Sequence, residues 1–85
     1  MVTAQELKDK YGPDTEVVTV KSGAYNVNVA VRDYGDGILR VADVSTTQAR
    51  PAILSHEWFL NVSDVPMAFD TTDLNEVRQI IGDQL

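Results

Sequence analysis

Tyr25-Asn26-Val27-Asn28-Val29-Ala30-Val31-Arg32 alternates without a break. Tyr25, Val27, Val29 and Val31 point one way; Asn26, Asn28, Ala30 and Arg32 point the other. A period of two belongs to a β-strand, and this polarity belongs to a strand with one face on a core and one toward water. Upstream, Thr15–Lys21 is rich in β-branched residues and is bounded by Pro13-Asp14 and Ser22-Gly23. Downstream, Asp33-Tyr34-Gly35-Asp36-Gly37 reads as a turn whose glycines accept positive φ. Ile38–Ser45 is a third strand with imperfect alternation: Ile38, Ala42 and Val44 share one face, Leu39 and Val41 the other. Such a break implies either two partly covered faces or a bulge that shifts the register. Short links between the three runs predict an antiparallel meander.

A helix is predicted at each end. Thr3 and Glu6 have capping-box spacing, and Val2 and Leu7 that of a hydrophobic staple. Ala4, Leu7 and Tyr11 share a face; Gly12 and Pro13 then stop the helix. At the other end, Thr72 or Asp73 caps a helix, and Asp73 with Glu76 has capping-box spacing. Its apolar stripe is Leu74, Val77, Ile81 and Leu85, with Ile80 beside it, and Gly82 is expected to fray the last turn. Between strands and helix, Ala52–Val62 reads two ways: Ile53, Leu54, Glu57, Trp58 and Asn61 suit a helix beginning near Pro51, and His56, Trp58, Leu60 and Val62 suit a fourth strand, which the Trp, Phe and Val content favours. The expected fold is a single α+β domain over residues 1–85, with an antiparallel sheet of three to four strands and both helices on one face.

At 85 residues the chain is shorter than the roughly 100–200 of a typical domain. Its 44% hydrophobic content supports a core and excludes a disordered tail. Without cysteine there is no disulfide framework and no thiolate metal site. Apolar runs such as Trp58-Phe59-Leu60 fall far short of the about 20 residues of a membrane span. The polar N-terminal stretch lacks the pattern of a signal peptide, so a cytoplasmic protein is expected.

The net charge of −6 is unevenly placed. Residues 1–50 nearly balance at −1, whereas residues 51–85 hold Glu57, Asp64, Asp70, Asp73, Glu76 and Asp83 against Arg78 alone, for −5. An acidic chain does not suit sequence-independent nucleic-acid binding, which needs a basic face. It suits a basic protein partner, whose association would be fast and salt-sensitive.

No arrangement of residues specifies catalysis. His56 is the one histidine; His56-Glu57 begins a metalloprotease pattern, but Leu60 stands where the second histidine belongs. No serine lies in a Gly-x-Ser-x-Gly elbow, and Gly35-Asp36-Gly37 leads into a strand rather than a phosphate-binding helix. Asp33 and Asp36 lack the spacing of a calcium loop. No cofactor and no metal are therefore expected.

The reading that follows is a non-enzymatic protein-binding module, of a size and acidity common among small bacterial and phage-encoded accessory or inhibitor proteins. Its contact residues are Trp58 or Phe59, with Asp64, Asp70, Asp73 and Glu76 as an acidic rim. Adjacent aromatics in a strand face opposite ways, so one of Trp58 and Phe59 can enter the core, and the other is either covered by another segment of the chain or exposed to a partner or a homo-oligomer. Two alternatives stand beside it: a structural subunit of a larger assembly, and a small enzyme or ion-binding domain built on His56, Glu57 and nearby carboxylates.

Overall fold

A computed structural model describes residues 4–22, 25–46 and 63–85. Helix α1 (Ala4–Tyr11) leads into strands β1 (Thr15–Ser22), β2 (Tyr25–Asp33) and β3 (Leu39–Thr46). A two-residue strand β4 (Ala68–Phe69) and helix α2 (Leu74–Gln84) complete the described elements. The sheet order is β1-β2-β3-β4 with every pair antiparallel, the expected α+β meander with a helix at each end. The expected strand at 52–62 lies outside the described residues. The described fourth strand is β4, which pairs Phe69 with Leu39 and Ala68 with Arg40.

The irregular third strand contains a bulge. Ala30 pairs with Asp43 and Val31 with Val41, which leaves Ala42 as the extra residue. Before the bulge, Leu39 and Val41 face the core; after it, Val44 does. One inserted residue thus reconciles two runs that no single period of two can place on one face. The core is this face: Val18 and Val20 of β1, Val27, Val29 and Val31 of β2, Leu39 and Val44, with Val65, Phe69, Val77 and Ile81 packed on it. Full burial of a valine or isoleucine contributes about 1.5–3 kcal/mol each, so these rows dominate stability.

The opposite face is also covered, contrary to the half-solvated strand expected. Asn28 and Ala30 are as deeply buried as their valine neighbours. Thr19 donates its hydroxyl to Asn28 Oδ1 at 2.7 Å, and Asn28 Nδ2 donates to Ser45 Oγ at 3.4 Å, so a three-strand polar ladder satisfies the amide in place. Helix α1 packs over this face. Its Tyr11 and Lys10 both reach Asp43, the cross-strand neighbour of Ala30. Helix α2 packs on the valine face, where Val77 and Ile81 join the core. The two helices therefore flank the sheet from opposite sides rather than sharing one. The reason lies in Asn28 and Ala30: one is small and the other bonded, so this face accepts a helix that buries Leu7. An eight-residue helix does not persist alone, and Leu7 supplies its docking contact.

Helix ends follow local chemistry. Gly12 takes φ 96° and returns its N–H to Lys8 O at 2.9 Å, the left-handed C′ stop, with Pro13 beyond it. The expected cap and staple at Thr3 and Val2 lie outside the described residues. At α2, Asp73 Oδ1 accepts the Asn75 N–H at 2.9 Å as N-cap. The reciprocal half of the expected box runs through a third residue. Thr71 Oγ1 accepts the Asp73 N–H and donates to Glu76 Oε2, each at 3.0 Å. The helix continues through Gly82 to Gln84, and Leu85 returns its N–H to Ile81 O at 3.1 Å, so the last turn is formed.

Candidate functional site

The chain between β2 and β3 is built as two successive Asx turns. Asp33 Oδ1 accepts the Gly35 N–H at 2.7 Å, and Asp36 Oδ1 accepts the Ile38 N–H at 3.2 Å. Gly35 and Gly37, at φ 82° and 79°, supply the left-handed residues that this path requires. Both aspartates thus serve the turn.

Tyr34 stands out of this turn with 59% of its surface exposed. Arg32 and Arg40 are cross-strand partners, and both lay a guanidinium over the Tyr34 ring, at 5.2 and 5.4 Å from its centroid. Arg40 also pairs with Asp36, Nη1 to Oδ2 at 2.9 Å. That bond, more than the neighbouring Ile38 N–H, holds the Asp36 carboxyl below its ordinary 3.8. Each guanidinium over a ring contributes about 0.5–1 kcal/mol at an exposed site, so together they favour this position of the tyrosine although solvent surrounds it.

Beside Tyr34 lies an open groove of about 650 Å³. Three parts of the chain meet there: Asp14 and Glu16 from the start of β1, Arg32 and Tyr34 from the hairpin, and Thr72 and Leu74 from the start of α2. Leu39 and Leu74 give it an apolar floor, and the carboxylates of Asp14, Glu16 and Asp33 outnumber the single guanidinium of Arg32. Lys8 approaches Glu16 at 3.6 Å from the rim.

Of the expected contact residues, Trp58 and Phe59 lie outside the described residues, as do His56 and Glu57. Asp64, Asp70, Asp73 and Glu76 are all exposed. Asp64 precedes the buried Val65 and Asp70 follows the buried Phe69, so each stands where the chain leaves the core. Thr71 links Asp73 and Glu76, and the flanking Thr72 and Leu74 line the groove. The acidic segment therefore runs up to the groove, while two of its members are engaged as helix caps. Among the described residues no group of three or more His, Asp or Glu is placed to hold a metal ion. No described helix is long and apolar enough to cross a membrane.

Sequence reasoning passed over Tyr34, Arg32 and Arg40. The signal was present: an aromatic side chain inside a turn whose other residues all have turn-forming reasons to be there. Comparison with family models, curated proteins and solved structures finds no match for this chain.

Proposed function

We propose that this chain is a non-enzymatic binding module that works through protein–protein contact. The observation that carries the reading is Tyr34, exposed, held by two arginines and set on the lip of a groove. Tyrosine and arginine are the residues that concentrate binding energy at protein interfaces, above all when a ring is already ordered and pays little entropy on association. The groove beside it can receive a partner side chain, and its surplus of carboxylates favours a basic one. The −5 charge of residues 51–85 adds long-range attraction for the same kind of partner. A cytoplasmic setting accompanies this reading, and a chain without cysteine places no redox demand on its compartment.

The test is a comparison of retained proteins on immobilised wild-type chain and on Tyr34→Ala, at low and high salt. Support is a discrete protein held by the wild type at low salt, released by salt and lost on Tyr34→Ala. Identical retention by the two forms overturns the reading.

A further inference from the structure

Asp36-Gly37 is the one Asp-Gly pair in the sequence, and no Asn-Gly pair occurs. It lies in the exposed turn between β2 and β3. In such a pair the glycine nitrogen can close on the aspartate side chain, because glycine carries no Cβ to block the approach. The Asp36 side chain is 44% exposed, so water reaches it. Among the described residues no hydrogen bond holds the Gly37 N–H. Against closure stand the two bonds of the carboxylate: Oδ1 accepts the Ile38 N–H at 3.2 Å and Oδ2 accepts Arg40 Nη1 at 2.9 Å. The guanidinium makes the shorter, charge-assisted bond, and a carboxylate kept ionised is a poor electrophile. Arg40 is also the main reason that the Asp36 carboxyl lies below its ordinary value, so its protonated form is scarce. Asp33 supplies the contrast within the same turn. It accepts the Gly35 N–H in the same way, but Tyr34 follows it, and that side chain crowds the nitrogen.

We propose that Asp36-Gly37 is a site of spontaneous isoaspartate formation, and that Arg40 sets its rate by holding the carboxylate. Departure of Arg40 lets the Asp36 carboxyl take a proton. The Gly37 nitrogen gives its proton to water and its electron pair to Asp36 Cγ. The Cγ–OH bond breaks, and hydroxide leaves with a proton as water. The product is a five-membered cyclic imide. Water then adds to one of its two carbonyls and breaks a C–N bond, with nothing oxidised or reduced. Breaking the new bond restores aspartate. Breaking the original peptide bond leaves the main chain running through Cβ and Cγ, with the carboxylate on Cα. That product lengthens the turn by one carbon and takes the carboxylate away from both Ile38 N–H and Arg40.

The full chain, kept warm at mildly acidic pH in water enriched in heavy oxygen, tests the inference. Peptide mass spectrometry locates the incorporated label, and electron-transfer fragmentation identifies isoaspartate. The wild type is expected to gain both at Asp36 before any other residue. Arg40→Gln is expected to speed the reaction by roughly 2–5-fold, the range that loss of an exposed ion pair gives. Arg40→Lys, which keeps the charge, is expected to fall between. Lys21→Gln removes a cation at the opposite end of β1 and is expected to leave the rate unchanged. Absence of isoaspartate at Asp36, earlier modification elsewhere, or equal rates in the wild type and a folded Arg40→Gln overturns the inference. Should Arg40→Gln lose the fold, a rate for Arg40→Lys equal to the wild type overturns it.

Discussion

Asp43 of β3 accepts the hydroxyl of Tyr11 at 2.8 Å across 32 residues of sequence. The same carboxylate accepts the Val44 N–H at 2.8 Å and meets Lys10 at 3.7 Å, so one acidic side chain anchors the first helix to the third strand. Tyr11→Phe keeps the ring and deletes the bond. It is expected to cost about 1 kcal/mol, read by urea unfolding at neutral pH. The bond to Asp43 first, then burial and the charge of Asp43, hold the Tyr11 hydroxyl above its ordinary 10.0. A raised value in the folded state means stability that is full below pH 10.0 and lost as pH rises through the raised value. Tyr11→Phe is therefore expected to flatten the alkaline limb of the stability profile. An unchanged limb would place the bond elsewhere.

Thr15 is fully buried, and among the described residues its hydroxyl has no hydrogen-bond partner. Thr15→Val keeps the shape and removes the unsatisfied group, so it is expected to stabilise the fold by about 1 kcal/mol in the same assay. A loss of stability would show that the hydroxyl is satisfied in solution.

Gly82 lies within α2 at an ordinary backbone angle, and a methyl group there would meet Val20 Cγ1 at 3.7 Å, a normal contact. Gly82→Ala is expected to raise stability by about 0.5–1 kcal/mol, with a higher thermal midpoint. A fall would mean that the α2–β1 packing is tighter than that spacing allows.

These positions show where the sequence was legible. Asp73, Gly12 and the turn glycines act within a few residues of themselves, so their roles are readable from local chemistry alone. The break in the third strand was readable as a bulge or as two covered faces, and only the register places the bulge at Ala42. The face of α1 was not readable. Asn28 looks like a solvent-facing residue until its cross-strand partners Thr19 and Ser45 are known, and those depend on register. Strand β4 is too short to show a period. The Arg32–Tyr34–Arg40 stack exists only because Arg32 and Arg40 pair across the hairpin, so its parts looked unrelated along the chain.

The stack also makes an electrostatic prediction. Arg40→Gln is expected to move the Asp36 titration upward toward 3.8, followed by carbon-detected NMR of the carboxyl. The depressed value contributes stability above 3.8 that is lost as pH falls, and Arg40→Gln weakens that dependence, leaving the part that the Ile38 N–H supplies. An unmoved titration would show that the Asp36–Arg40 bond is not made in solution.

The central claim is that Tyr34 is where a protein partner lands. A photoreactive phenylalanine analogue placed at position 34, and in a parallel sample at the exposed Gln79 on α2, tests it most directly in cells that make the chain. The account predicts a discrete heavier adduct with another protein from position 34 and none from position 79. Adducts from position 79 with none from position 34 would contradict it.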